Sequence, residues 1–189
     1  MKSVNQNIIE KFNDLLGEEK VKVDDPMKRH TTFRIGGPAD YFLLPSSEEE
    51  LSGILKICKN EELPYFILGN GSNLLVGDKG IRGLVIEVGA QMNAVEVQGN
   101  ILRAQAGALL SQVAAKAAAA GLGGMEFAAG IPGSMGGAVT MNAGAYGGEM
   151  KDVIRQVTVL TQECEQKVLS REELDLSYRH SCIPKNHFL

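Results

Sequence analysis

Hydrophobic positions in the first third of the chain follow a helical spacing. Apolar residues recur every three or four positions over residues 3–16, which predicts an amphipathic helix that ends at Gly17. A second helix is predicted after Ser47, which caps it together with Glu50 in a capping box. The buried stripe of this second helix consists of Leu51, Ile54, Leu55 and Cys58.

Short apolar or alternating runs predict strands between and after these helices. They lie at residues 39–44 (before Pro45), 65–68, 84–88, 94–97, 101–105, 153–161 and 168–169. An alanine-rich stretch at 109–120 predicts a third helix that ends at Gly121, and residues 171–174 predict a helical turn. Because hairpins and crossovers are mixed in this order, the pattern favours an α+β fold over a doubly wound sheet.

Two glycine-rich segments interrupt this pattern. The first covers residues 68–76 and directly follows an apolar strand, and the second covers residues 129–148. Glycine lets main-chain N–H groups converge on an anion that a side chain would keep away. Two such segments suit a ligand with two phosphates and a long body, such as the dinucleotide FAD. Residues 121–148 hold 10 of the 22 glycines, so we expect this region to become ordered around its ligand.

Neither glycine segment has the residues of the common nucleotide motifs. Gly69-Asn70-Gly71 lacks the third glycine of a GxGxxG fingerprint, and neither segment has a lysine where a P-loop requires one. A tight turn without a ligand is the alternative interpretation of the first segment, because GxG is a weak signal.

Charge and cysteine content narrow the class of protein. The chain has 189 residues and a net charge of -4 without a lysine or arginine cluster, which argues against nucleic acid as a partner. No apolar stretch reaches the length of a membrane span or a signal peptide. Its three cysteines have neither CxxC nor zinc spacing. We therefore expect a cytoplasmic, reduced, metal-free protein that binds neither nucleic acid nor membrane.

Several polar residues are candidates for chemistry. His30 and His187 have no partner nearby in the sequence and are expected at the surface. The cluster Tyr178-Arg179-His180-Ser181 has two interpretations, a solvated turn or an anion clamp. Arginine favours the clamp because it holds a carboxylate with two parallel hydrogen bonds.

Four motifs, in this order, carry a resemblance to a known family. They are His30-Thr31-Thr32-Phe33-Arg34-Ile35-Gly36-Gly37-Pro38-Ala39, Gly69-Asn70-Gly71-Ser72-Asn73-Leu74-Leu75, Glu126-Phe127-Ala128-Ala129-Gly130-Ile131-Pro132-Gly133-Ser134, and Tyr178-Arg179. From about residue 20 onward the chain resembles the bacterial UDP-N-acetylenolpyruvoylglucosamine reductases, also called UDP-N-acetylmuramate dehydrogenases. The resemblance implies an FAD-binding domain of the vanillyl-alcohol-oxidase/p-cresol-methylhydroxylase type. An N-terminal helix and lead-in (1–30) would precede two α+β subdomains, at about 31–90 and 91–189, with the flavin between them.

The resemblance also implies an activity. The family reduces the enolpyruvyl ether of UDP-N-acetylglucosamine to UDP-N-acetylmuramate in peptidoglycan synthesis, with non-covalent FAD and with NADPH as co-substrate. An arginine that matches Arg179 polarises the substrate carboxylate, so that enolate-like charge can develop, and Tyr178 lies with it at the substrate. The family's proton-donating serine and its assisting glutamate lie beyond Leu189. We therefore expect a monomeric, catalytically incomplete fragment whose UDP-sugar-binding domain is largely absent.

The cofactor-binding residues implied by the resemblance lie in the two glycine segments. They are Leu68, Gly69, Asn70, Gly71, Ser72, Asn73, Leu74, Ile131, Pro132, Gly133, Ser134, Gly136, Gly137, Ala138, Asn142 and Ala143. Two other functions stay open, a related flavin oxidase and an FAD-binding module without turnover. The Tyr178-Arg179 pair favours the reductase over the oxidase, and the missing serine and glutamate favour the module.

Overall fold

The computed structural model describes residues 5–189, and these fall into two compact units that meet between Met92 and Asn93 in the sequence. The helices and strands of the first unit are α1 (Gln6–Leu16), β1 (Val21–Pro26), β2 (Pro38–Leu43), α2 (Glu48–Asn60), β3 (Tyr65–Leu68) and β4 (Ile81–Glu87). Those of the second are β5 (Val95–Gln98), β6 (Ile101–Ala104), α3 (Leu110–Ala119), α4 (Met135–Thr140), β7 (Gly144–Ala145), β8 (Gly148–Glu149), α5 (Met150–Val153), β9 (Gln156–Leu160), β10 (Gln166–Ser170) and α6 (Cys182–Lys185).

Helix α1 forms where the apolar spacing predicts it. The side chain of Asn5 caps its first turn by accepting the N–H of Asn7, and Gly17 ends it with a φ of 89°. Ile8, Phe12 and Leu16 form the buried face. The first residues of the predicted helix, Ser3 and Val4, lie outside the described residues.

The first unit is built on a four-stranded sheet in the order β1-β2-β4-β3. β1 runs antiparallel to β2, whereas β2, β4 and β3 are mutually parallel. The central strand β4 is buried at Leu84, Val85 and Ile86, which explains its continuous apolar run. Strand β3 is an edge strand of the sheet and leads directly into the first glycine segment.

Helix α2 confirms the predicted stripe, because Leu51, Ile54, Leu55 and Cys58 are all buried. Its predicted capping box is only half correct. The Ser47 hydroxyl accepts the N–H of Glu50, but the Glu50 carboxylate turns instead to the N–H and hydroxyl of Ser46 and to Lys20. An ion pair with Lys20 at 2.7 Å therefore redirects the carboxylate away from the reciprocal cap.

The second unit consists of three antiparallel hairpins, β5–β6, β7–β8 and β9–β10, with helices between them. Helix α3 and the strand positions near residues 95, 101 and 168 agree with the pattern. The strand predicted from Val153 is wrong at its start, because Val153 belongs to α5 and β9 begins at Gln156. A reciprocal capping box between Glu149 and Asp152 and the buried side chain of Met150 favour a helical turn there.

The glycine-rich region at residues 121–148 contributes directly to the core of the second unit. Buried residues from this region pack with residues of β9, β10 and α6; they are Phe127, Ala128, Ala138, Val139 and Ala143. Packing therefore contributes to the stability of this region, and further ordering around a ligand stays a prediction. Over residues 5–189, no helix is both long and apolar enough to cross a membrane.

Candidate functional site

The first glycine segment turns sharply at the end of β3. Gly71 has a left-handed φ of 60°, and a Cβ there would overlap the carbonyl oxygen of His30. The carbonyl of Gly71 accepts the N–H of Thr32 at 3.1 Å. Only glycine combines this backbone conformation with so close a main-chain approach. We call residues 69–76 the glycine loop and residues 30–37 the flanking loop.

The glycine loop and the flanking loop also meet at their C-terminal ends. Gly36 has a φ of 133°, and a Cβ there would lie 2.8 Å from the Cβ of Val76. The N–H of Gly37 donates to the carbonyl of Gly77 at 3.0 Å. The flanking loop is therefore one wall of the candidate site. The sequence signal for it was the motif that begins at His30, but none of its residues was predicted to contact the cofactor.

The glycine loop presents main-chain donors. Within residues 5–189, the N–H groups of Gly71, Ser72 and Asn73 donate to no main-chain acceptor. Leu68 and Gly71 are buried, Gly69, Ser72 and Leu74 are half-buried, and Asn70 and Asn73 are exposed. A cradle of N–H groups without main-chain acceptors, in a loop that leaves no room for a Cβ at Gly71, fits the pyrophosphate of FAD.

His30 is not a surface residue, contrary to the sequence-based expectation. Its ring stacks on Phe42 with centroids 3.9 Å apart, and its side chain is 13% exposed. Nε2 lies 2.7 Å from Oδ2 of Asp25, and Nδ1 lies 3.4 Å from Oε2 of Glu87. Asp25 precedes His30 by five positions, whereas Glu87 comes from β4 and could not be found near His30 in the sequence. His187 is exposed, as expected.

The second glycine segment pairs with the chain that precedes α3. The N–H of Met135 donates to Ala108, that of Gly136 to Ala106, and that of Leu110 to Gly133, at 2.8–2.9 Å. A Cβ at Gly136 would lie 3.0 Å from the Cβ of Ala106, so the close approach of these chains requires a small residue. Of the predicted residues here, Ser134, Ala138, Asn142 and Ala143 are buried, Ile131, Gly133 and Gly136 are half-buried, and Pro132 and Gly137 are exposed.

Asn142 lies at the centre of a buried hydrogen-bond network. Its Nδ2 donates to the carboxylate of Glu149 and to the carbonyl of Ser177, and its Oδ1 accepts the N–H of Lys151. The hydrogen bond and charge of Glu149 raise the pKa of Lys151. Asn142 is 3% exposed and both its amide hydrogens are used within the protein. Its side chain therefore positions the neighbouring chain, and a direct contact with a cofactor stays a prediction.

Tyr178 and Arg179 form the tip of a tight turn whose base is fixed. Ser177 and His180 exchange both main-chain hydrogen bonds, at 3.1 and 3.2 Å. Asn142 holds the carbonyl of Ser177, and the Ser181 hydroxyl donates to the carbonyl of Thr140 at 2.6 Å. The turn is thereby tied to the second glycine segment.

At the tip of this turn the two predicted substrate-binding side chains face solvent. Tyr178 is 90% exposed, and Arg179 is exposed with a left-handed φ of 55°. The turn is solvated and also presents a guanidinium to any anion that reaches it. Among residues 5–189 there is no group of three or more histidine, cysteine or acidic side chains that could hold a metal ion.

Comparison with known proteins gives closely related sequences. The reductase named UDP-N-acetylenolpyruvoylglucosamine reductase from Agathobacter rectalis is 52% identical over 98% of this chain and 63% of that protein. The protein of the same name from Clostridioides difficile is 48% identical over 98% of this chain and 61% of that protein. The chain thus spans a little over three fifths of the length of these curated relatives.

Solved structures show the same fold. The UDP-N-acetylenolpyruvylglucosamine reductase of Thermus caldophilus matches with a TM-score of 0.76 and 38% identity, over 90% of this chain and 59% of that one. p-Cresol methylhydroxylase matches with a TM-score of 0.67 at 16% identity, over 94% of this chain and 37% of that one, which shows the fold alone. These matches confirm the predicted α+β fold of the vanillyl-alcohol-oxidase/p-cresol-methylhydroxylase type.

A family model gives the remaining assignment. The model described as "FAD binding domain" matches residues 39–170, a range that holds the whole glycine loop and all of the second glycine segment. Since the match covers well over half of the 189 residues, the chain belongs to the FAD-binding domain family.

Proposed function

We propose that this chain is the FAD-binding part of a UDP-N-acetylenolpyruvoylglucosamine reductase. The observation that carries the proposal is about 50% identity to reductases of that name over 97–98% of the chain. The reaction is the NADPH-dependent reduction of UDP-N-acetylglucosamine enolpyruvate to UDP-N-acetylmuramate for peptidoglycan. Flavin oxidases that share the fold are less than 25% identical, so they support the fold and no oxidase function.

The glycine loop is the proposed site for the pyrophosphate of FAD. The N–H groups of Gly71, Ser72 and Asn73 donate to phosphate oxygens, and the chain at Leu68 and Leu74 anchors the loop in the core of the first unit. Bound FAD would supply the capacity to take a hydride from NADPH and to deliver one to the enolpyruvyl double bond.

The second glycine segment is the proposed support of the flavin ring. Ile131, Pro132, Gly133, Gly136 and Gly137 have accessible surface, so they can contact the ring directly. Ser134, Ala138, Asn142 and Ala143 are buried beneath them and fix the course of the main chain. The glycines at positions 133, 136 and 137 let the backbone approach a flat aromatic surface.

Arg179 is the proposed partner of the substrate carboxylate. Its guanidinium can form two parallel hydrogen bonds with a carboxylate and stabilise negative charge that develops next to it. Tyr178 lies beside it on the same rigid turn and is proposed to contact the substrate. The protein is further proposed to act in the cytoplasm and to be a monomer. Size-exclusion chromatography with light scattering tests the monomeric state.

The cofactor assignment is tested by reconstitution. Purified protein is incubated with excess FAD, freed of unbound ligand and assayed for bound flavin. We expect one FAD per chain, and we expect acid precipitation to release it into the supernatant because binding is non-covalent. Protein that binds no flavin, or that retains flavin after precipitation, would contradict the assignment.

The substrate assignment is tested with matched ligands. UDP-N-acetylglucosamine enolpyruvate and UDP-N-acetylglucosamine differ by the group that carries the carboxylate. We expect the FAD-loaded protein to bind the first more tightly, and Arg179→Met to remove that preference. Arg179→Lys should remove most of it, because lysine lacks the two-pronged geometry. An equal preference for the enolpyruvate over UDP-N-acetylglucosamine in wild type and Arg179→Met would contradict the assignment. Turnover is measured separately, as NADPH oxidation with and without the enolpyruvate.

A further inference from the structure

We propose that His30 is a positioning residue that fixes the glycine loop in the form that binds phosphate. The inference rests on the proposed FAD binding and adds a residue that does not itself touch the cofactor. Two observations support it. The imidazole ring of His30 is fixed by contacts with three strands, and the main-chain carbonyl of His30 lies against Gly71.

The imidazole ring of His30 is held by three strands at once. Asp25 of β1 faces Nε2 at 2.7 Å, Glu87 of β4 faces Nδ1 at 3.4 Å, and Phe42 of β2 stacks against the ring. Two more cations lie around this cluster. Arg29 is 3.2 Å and Lys22 is 3.9 Å from the Asp25 carboxylate. The ring therefore has one defined position relative to the sheet.

The main chain of His30 transmits this position to the glycine loop. The carbonyl of His30 lies where a Cβ of Gly71 would be, and Thr32 donates its N–H to the carbonyl of Gly71. A shift of the flanking loop at His30 would therefore move Gly71 and the N–H groups that follow it. Phosphate binding by converging N–H groups is sensitive to such shifts because it depends on their common direction.

The chemistry of the ring explains why a histidine occupies this position. An apolar side chain could pack on Phe42 equally well, but it would leave Asp25, which is 6% exposed, without its contact to Nε2 and Glu87 without its contact to Nδ1. Glutamine places a donor near the position of Nε2 and can serve Asp25, whereas asparagine places one near Nδ1 and can serve Glu87. The shorter contact, to Asp25, is the one that should matter more.

The test measures the FAD dissociation constant of His30→Gln, His30→Asn and His30→Leu, well below their melting temperatures. We expect the leucine variant to bind at least about tenfold more weakly, with an altered visible circular dichroism spectrum of the bound flavin. Glutamine should restore most of the affinity, and asparagine less. Leu51→Ala, in the buried stripe of α2, is the control for lost stability, and it should leave the dissociation constant unchanged.

Amide NMR shifts of Gly71, Ser72 and Asn73 in ligand-free protein give a second readout. We expect them to change in His30→Leu and to stay in place in Leu51→Ala. Wild-type affinity in a folded His30→Leu, unchanged amide shifts, or an affinity loss in Leu51→Ala that matches its loss of stability would overturn the inference. If His30→Leu does not fold, equal affinities of the glutamine and asparagine variants overturn it. Failure of wild type to bind FAD refutes the proposed function, and the amide shifts still decide the role of His30.

Discussion

A side chain at Gly71 would meet main chain, because its Cβ would overlap the carbonyl oxygen of His30. The φ of 60° adds backbone strain for any other residue. We expect Gly71→Val to abolish FAD binding while far-ultraviolet circular dichroism stays close to that of wild type. Flavin content after reconstitution is the measurement.

Gly77, one residue beyond the glycine loop, provides the matched control for Gly71. A Cβ at Gly77 would have no atom within 4 Å, so Gly77→Ala should keep full flavin occupancy. If Gly71→Val also kept full occupancy, the loop would be an ordinary turn and the pyrophosphate would have to bind elsewhere.

Asn142 is expected to contribute to stability as well as to the site. Asn142→Ala removes the three hydrogen bonds of a buried side chain, to Glu149, Ser177 and Lys151. The expected loss is about 2–4 kcal/mol in the free energy of unfolding. Asn142→Gly should lose about 1 kcal/mol less, because it relieves the left-handed φ of 44°. Urea unfolding measures both, and an alanine variant as stable as wild type would contradict the network.

The sequence predicted residues whose role depends on local conformation and missed those whose role depends on distant partners. Gly71 was predictable because a GxG turn after a strand already calls for unusual backbone angles. The packing of His30 was not, because Phe42 and Glu87 meet its ring only when β2 and β4 join β1 in one sheet. Asn142 was assigned to the cofactor from the resemblance, and its hydrogen bond to the carbonyl of Ser177, 35 positions away, could not be found from the sequence.

Among the elements, the N-terminal turn of α2 should respond to acid. Burial raises the pKa of Glu50, but hydrogen bonds from Lys20 and Ser46 outweigh it and hold that pKa below its ordinary value of 4.5. A lowered folded-state pKa stabilises the fold above the unfolded-state value, and this stability is lost as the pH falls through the folded-state pKa. We expect the unfolding free energy of wild type to fall more steeply below about pH 4.5 than that of Glu50→Gln.

Urea midpoints from about pH 7 to about pH 3 measure this difference. Glu10→Gln, at an exposed position of α1, removes the same formal charge and should retain the pH dependence of wild type. Identical acid profiles for Glu50→Gln and wild type would show that the contacts of Glu50 add nothing to stability.

Elements with a long periodic pattern were predictable, and short ones were not. Helices α1 and α2 each have an apolar stripe at helical spacing, and this stripe predicts a helix whichever surface it packs against. Helix α5 has four residues, and its caps override the strand propensity of Val153. The order β1-β2-β4-β3, with β4 between β2 and β3, is fixed by long-range pairing that no local pattern contains.

For the whole molecule, FAD should act as a stabilising ligand. At a hundredfold excess over its dissociation constant, a ligand that binds only the folded state adds about 2.7 kcal/mol. For a domain of this size, that is a rise in melting temperature of roughly 5–10 °C. Differential scanning fluorimetry or calorimetry with graded FAD concentrations measures the rise. Gly71→Val should show none, and an unchanged melting temperature of wild type would contradict FAD binding.

The family was recognisable from the sequence because each of its four motifs is an unbroken run of residues. The four motifs also occur in the expected order along the chain. The relatives and the match of the FAD-binding family model confirm that recognition. The individual site residues were inferred by matching motifs, so the prediction covered nearly every residue of each loop. It could not separate the residues with accessible surface, such as Gly137, from those buried beneath them, such as Ala138.

The kind of atom that each glycine faces has a genetic consequence. At Gly53 in α2, the three atoms nearest to an added Cβ all belong to the side chain of Leu15, the closest at 2.8 Å, so a smaller residue at position 15 can suppress Gly53→Ala. At Gly71 the obstacle is a peptide carbonyl, which every amino acid carries. No exchange at position 30 removes it. A selection for revertants should therefore yield second-site suppressors of defects at codon 53, whereas defects at codon 71 should revert only at that codon.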